Sequence, residues 1–222
     1  MKNYLVRTKI LWILISVLFL SISSCKDEPP QETGNFKEPD LVELIKLDTT
    51  FRLDIRYAAG NNFLGRPVYK EARAFLQRPA ADALVKVNNE LKPYGYAIVI
   101  FDGYRPWSVT KTFWDMTPED KKEFVADPKS GSRHNRGCAV DLSLYEISSG
   151  KEVEMPSEYD EMSERSNADY KGGTEKQREL RDLLRTKMEE NGFKVLDVEW
   201  WHFDYKDWKS YRIENIPFND IR

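Results

Sequence analysis

From about residue 41 onward the apolar positions of the chain follow two different periods. Ala80, Leu84, Val87 and Leu91 recur at helical spacing and are followed by Pro93 and Gly95, which predicts an amphipathic helix and its stop. The unbroken apolar run Ala97 to Phe101, AIVIF, then suits a buried strand. Thr117-Pro118-Glu119-Asp120 has the form of an N-cap with proline at the first helical position and acids in the first turn, so a helix through about Val125 is expected. Thr174 and Gln177 have the spacing of a capping box, and the helix they open carries Leu180, Leu183, Leu184 and Met188 on one face before stopping near Gly192. The stretches CAVDLSLY, from Cys138, and FKVLDVEWWHFDY, from Phe193, are β-like in composition. Strands and helices mix without a regular βαβ rhythm and no repeat appears. The pattern predicts a single α+β domain with helices packed on a largely antiparallel sheet.

Period-two reading of CAVDLSLY puts Val140, Leu142 and Leu144 on one face and Asp141, Ser143 and Tyr145 on the other, so Asp141 is expected to face away from the core. His134 lies seven residues upstream. Along a straight strand those two side chains would stand roughly 23 Å apart. Asn135-Arg136-Gly137 supplies a bend that could fold the histidine back over the strand, because Gly137 tolerates backbone angles closed to other residues. The second histidine, His202, follows Glu199 by three residues, and in a regular strand the two would point to opposite faces. A bulge or turn at Trp200-Trp201 would bring them to one side.

The N-terminus has a different pattern. Lys2, Arg7 and Lys9 precede the apolar run Ile10 to Leu20, which is short for a membrane span and suits a signal-peptide core. The following LSISSC resembles a bacterial lipoprotein signal, with residues 1–24 removed and Cys25 lipidated; an ordinary cleaved signal and an uncleaved anchor are the alternatives. Residues 25–40, polar and carrying three prolines, are expected to act as a flexible tether, and the catalytic domain is placed at 41–222. The cell envelope is the expected location, with an N-terminal lipid anchor as the membrane contact.

Composition narrows the function. Hydrophobic residues make up 41% and charged residues 32% of the 222, as in a folded soluble domain. Without Lys2, Arg7 and Lys9 the 34 bases and 37 acids shift from a net charge of −3 to about −6, so no basic stripe for nucleic acid is left. No obligate protein partner is evident. Lipidation of Cys25 leaves Cys138 alone, without a partner for an intrachain disulfide.

The chain has only two histidines, each near an acid. A single zinc ion held by His134, Asp141 and His202, with a fourth position left for water, is the expected arrangement at the sheet edge, and Glu199 would stand beside it as general base. Spacing alone leaves open that each histidine is simply hydrogen-bonded to its neighbours. Trp200, Trp201, Phe203 and Tyr205 read as core and pocket wall, and Asp102-Gly103 with Arg105-Pro106 read first as a turn.

These residues resemble a known family, the zinc D-alanyl-D-alanine dipeptidases within the larger group of D,D- and L,D-carboxypeptidases. The signature S-x-H-x-x-G-x-A-x-D is matched by Ser132, His134, Gly137, Ala139 and Asp141. The dipeptidase branch is matched by DGYRP at 102–106, EWWH at 199–202, DIRYAAGNNFLGRPV at 54–68 and YDEMSERS at 159–166. The resemblance implies that His134, Asp141 and His202 bind one Zn2+, that Glu199 is the catalytic acid/base and that Arg105 stabilises the transition state. It further implies that Tyr57, Ser132 and Asp160 line the pocket for a small dipeptide. The segment ADPKSGSRH is shorter than in that family, which implies a different pocket rim. A D,D- or L,D-carboxypeptidase on longer muropeptides is the nearer alternative. A non-catalytic zinc-dependent binding module is the more distant one, disfavoured by the presence of Glu199 and Arg105.

Overall fold

The computed structural model describes residues 28–221; the leader and Cys25 lie outside them. The main sheet has five strands in the order β2-β4-β5-β7-β6, where β2 is Arg52–Leu53, β4 Tyr96–Asp102, β5 Ala139–Glu146, β6 Phe193–Leu196 and β7 Glu199–Tyr205. Only β2 and β4 run parallel, so the largely antiparallel expectation holds. A two-stranded antiparallel ribbon joins β1, Leu41–Glu43, to β3, Phe75–Gln77. The helices are α1, Leu44–Leu47, α2, Arg78–Leu91, α3, Trp107–Met116, and α4, Glu175–Glu190. No helix among the described residues is long and apolar enough to cross a membrane.

α2 and α4 form where the helical spacing placed them. α2 buries Ala80, Leu84, Val87 and Leu91, and α4 buries Leu180, Leu184 and Met188 behind the capping box of Thr174 and Gln177. Both pack on the sheet face lined by Ile98, Ile100, Val140, Leu142, Leu144 and Phe203, closing one core. Burying each of the larger of these side chains stabilises the fold by about 1.5–3 kcal/mol against an exposed reference. The helix expected from Thr117 to Val125 is instead a pair of 3-10 turns over Glu119–Phe124. Thr117 closes α3, its hydroxyl donating to the Phe113 carbonyl at 2.7 Å, and makes no cap for those turns.

The opposite sheet face is covered too. Ala97, Val99, Phe101 and Tyr145 form a second small cluster against Tyr159. Asp141 does face away from the helices, yet it is only 3% exposed, because the segment after β5 folds over it. The acid is therefore buried rather than displayed. The expected tether is also held at several points, although it has no helix or strand: Glu32 pairs with Arg136 and accepts from Ile213 N at 2.8 Å, Lys37 N donates to Ser210 O and Asp40 N to the Gln77 side chain. Its prolines and polar composition rule out regular structure but leave carboxylate and amide groups free to dock.

The bend before β5 is built as anticipated. His134–Arg136 form a 3-10 turn that ends at Gly137 with φ +66°, and a Cβ there would lie 2.5 Å from Leu41 Cδ2. Gly137 O accepts from Gln77 N, and buried Asn135 donates to Arg105 O and Thr110 Oγ1. Gly137→Ala is expected to lower the free energy of unfolding by about 1–3 kcal/mol, from the left-handed backbone and the contact with Leu41 together. Urea unfolding of the two proteins measures this, and an unchanged midpoint would contradict the assigned bend.

Candidate metal and peptidase site

Asp141 and His202 are cross-strand partners on β5 and β7, the inner strands of the sheet. The site therefore lies near the strand ends, on the sheet face turned away from the helices, rather than along a lateral edge. The 3-10 turn brings His134 over it, with the ring Nδ1 2.7 Å from Gly103 O. His134 Nε2, His202 Nδ1 and Asp141 Oδ1 form a triangle with sides of 3.1, 3.0 and 3.3 Å. All three residues are buried, and they are the group of potential metal-binding side chains found among the described residues.

Hydrogen bonding fixes what these atoms present. A carbonyl can only accept, so His134 Nδ1 carries the proton and Nε2 is bare. His202 lies between two carboxylates, Nε2 at 3.0 Å from Asp204 Oδ1 and Nδ1 at 3.0 Å from Asp141 Oδ1, and in the neutral ring a proton held toward Asp204 leaves Nδ1 free to bind a metal. With both rings neutral, two nitrogen lone pairs and a carboxylate oxygen converge within about 3 Å, an arrangement that calls for a positive charge among them, either a proton on an imidazole or a metal ion. A tetrahedral ion with bonds of 2.0–2.1 Å separates its ligands by about 3.3–3.4 Å, close to the observed sides. The donor set fits a zinc ion.

Electrostatics point the same way. Burial alone would raise the Asp141 pKa, but the two imidazoles outweigh it and hold the carboxyl far below its ordinary range. Burial alone would lower His202, and hydrogen bonds to Asp141 and Asp204 reverse that, to about 10. The cluster thus draws positive charge, as a proton or as a metal ion. Glu199 Oε2 lies 3.7 Å from His202 Nδ1, and burial raises its pKa against the opposing pull of His202. The bulge that the zinc arrangement called for is present: β6 pairs Val195 with Phe203 but Leu196 with Glu199, leaving Trp200, Trp201 and His202 without counterparts on β6.

Arg105 reaches the cluster from the end of β4. Its Nε and Nη2 both donate to Asp102 Oδ2, at 2.9 and 2.8 Å, and Nη2 is 4.0 Å from Asp141 Oδ2. Burial disfavours the guanidinium charge, and Asp102 more than restores it. A second bulge in β4, at Phe101, pairs Asp102 with Asp141. Tyr57 and Asp160 meet through the Tyr57 hydroxyl, 3.0 Å from Asp160 Oδ2, while Ser132 Oγ accepts from His134 N. Burial, followed by the charge of Asp141, pushes the Asp160 pKa well above the carboxylate range. Asp160 is also the one non-glycine residue with positive φ among the described residues, at +60°.

All eight candidate side chains line one cavity of about 810 Å³. Sequence reading missed the residues behind them. Asp102, read as a turn, anchors Arg105 and accepts from the Tyr69 hydroxyl at 2.8 Å. Asp204 holds His202, and its position two residues along the same strand was an available signal. Tyr159 donates to Asp141 Oδ2 at 2.9 Å, and nothing but its adjacency to Asp160 hinted at it.

Comparison with known proteins places the chain in a family. The Peptidase_M15 model, described as D-ala-D-ala dipeptidase, matches residues 37–219. The D-alanyl-D-alanine dipeptidase of Escherichia coli K12 is 33% identical over 172 residues, covering 78% of this chain and 88% of its own. That of Enterococcus faecalis V583 is 35% identical over 177 residues, covering 70% and 86%. The solved LdcB LD-carboxypeptidase is 22% identical with a TM-score of 0.45, covering 80% of this chain and 74% of that one. With a family match across nearly the whole folded region and relatives above 30% identity, the chain belongs to the Peptidase_M15 family of D-Ala-D-Ala dipeptidases.

Proposed function

We propose that this chain is a zinc-dependent hydrolase that cleaves D-alanyl-D-alanine into two D-alanines in the cell envelope. The observation that carries the reading is the triangle of three potential donor atoms with Glu199 and Arg105 beside it. His134 Nε2, Asp141 Oδ1 and His202 Nδ1 would hold the zinc, which when bound supplies a Lewis acid and lowers the pKa of a bound water to about 7.

The chain's own groups do the rest. Glu199, raised by burial, takes a proton from the attacking water and returns it to the leaving amine, which suits a carboxyl moved toward neutral pH. Arg105, already oriented by Asp102 and kept charged, faces the oxygen on which negative charge develops. Asp160 is a buried carboxyl whose side-chain hydrogen bond comes from a neutral phenol, so a substrate ammonium would supply the opposite charge it lacks. That arrangement favours a substrate with its free amino group close to the scissile bond, as in a dipeptide.

The longer-substrate alternative is supported by the extent of the cavity, whose lining runs past the donor cluster to Phe124, Met162 and Val198. The envelope location rests on the leader pattern that ends at Cys25, and turnover of wall-derived dipeptides would be the role there.

Glu199→Ala is expected to retain zinc and lose at least about a hundredfold in kcat, and Arg105→Ala to lose about 10²–10³ in kcat. His202→Ala is expected to lose the metal as well. Metal analysis alongside turnover separates these outcomes, and equal zinc content and activity in the Glu199 and His202 variants would contradict the assignment. D-Ala-D-Ala is expected to be cleaved faster than a stem pentapeptide ending in D-Ala-D-Ala; the reverse order in a paired assay selects the carboxypeptidase reading. Lipid labelling of the expressed full chain should disappear in Cys25→Ala, and persistence of the label would remove the anchor.

A further inference from the structure

Each of the three donor side chains has a partner on its outer side, and the partner of Asp141 is of a different kind. His134 and His202 hand a proton outward, to Gly103 O and to Asp204. Asp141 instead receives one: the Tyr159 hydroxyl donates to Oδ2 at 2.9 Å, while Oδ1 is the oxygen turned to the two imidazoles. Arg105 Nη2, the other group near Oδ2, stands at 4.0 Å, beyond hydrogen-bonding distance. A carboxylate can offer a divalent cation one oxygen or both. Here the second oxygen is engaged before any ion arrives.

The hydroxyl is firmly placed. The Tyr159 ring packs at 4.8 Å from Phe101, 5.5 Å from Trp201 and 6.2 Å from Tyr57, measured between centroids. Its segment is tied to β7 where Trp200 Nε1 donates to Ser157 Oγ at 2.9 Å. The next residue, Asp160, enters the substrate pocket, so one short stretch of chain touches both the metal ligand and the binding site.

We infer that Tyr159 is a positioning residue of the metal centre: by occupying Oδ2 of Asp141 it restricts that carboxylate to a single donor oxygen and keeps a coordination position open for water and substrate. The inference rests on the zinc reading above and concerns a residue to which that reading gives no role. Losing the hydroxyl frees Oδ2 to swing toward the ion, so the coordination number rises and the open position is filled. Partners of this outer kind typically change affinity or activity by 10- to 100-fold when removed.

The test is Tyr159→Phe in the purified full chain, a change that keeps every ring contact and deletes one oxygen. Wild type and variant are loaded with zinc for X-ray absorption and with Co(II) for visible spectroscopy, and the metal-free proteins are melted thermally. The expected results are an unchanged metal-free melting temperature, one additional light-atom ligand at zinc, several-fold weaker Co(II) d–d bands and a kcat for D-Ala-D-Ala about 10- to 100-fold lower. Identical spectra and ligand counts in the two proteins would overturn the role of Tyr159 while leaving the zinc site standing. A wild type that takes up no metal would overturn the zinc reading and this inference together. Loss of the metal-free fold in the variant would make the hydroxyl structural, and would also overturn it.

Discussion

Three electron-rich atoms held within 3.0 to 3.3 Å of one another are the constraint on which the rest of this structure turns. Atoms of that kind at that distance need a positive charge between them, a proton or a metal ion, and burial removes the water that would otherwise screen them. The fold can keep them together because each is committed from behind: a backbone carbonyl fixes one imidazole tautomer, Asp204 fixes the other, and Tyr159 fixes the carboxylate. The folding energy of the helix-packed core on the far side of the sheet sustains this burial of polar groups.

Two departures from regular strand geometry deliver the chemistry. In β7 the extra residues Trp200 to His202 bring Glu199 and His202 to the same side, where unbroken period-two alternation would separate them. In β4 the bulge at Phe101 sets Asp102 opposite Asp141 and aims Arg105 at the cluster. Bulges gather near active sites for this reason: they re-aim a side chain without dismantling the sheet that carries it. The tryptophans at the β7 bulge are buried on both sides of it, Trp200 against Ser157 and Trp201 in the cavity wall, so the irregularity is packed in place.

The segment ahead of the domain takes part in the same construction. Glu32 pairs with Arg136, the residue that ends the turn begun by His134, and the Arg136 guanidinium also lies over the Trp208 ring. The loop that carries His134 is thereby braced by Gln77 in β3, by Asn135 within the loop and by a carboxylate from the N-terminal arm.

By itself the sequence determined the helices and strands whose apolar periodicity is self-contained and the glycine bend at Gly137, and it nominated three donor candidates together with Glu199. Two histidines in one chain leave few choices, and the spaced motifs carried the roles that chemistry alone could not assign, Arg105 among them. The need for a bulge between Glu199 and His202 could also be stated in advance, because two residues three apart in a strand face opposite ways. Thr117 misled because a hydroxyl serves the end of one helix as readily as the start of another, and which it serves depends on the chain before it. Only the tertiary structure decided that Asp141 is buried, that residues 28–40 are docked, and that Asp102, Asp204 and Tyr159 stand behind the site. The physical reason is common to all of them: a hydrogen bond between residues far apart in the chain leaves no periodic trace in the sequence, since it depends on how separate elements pack and not on the spacing within any one of them.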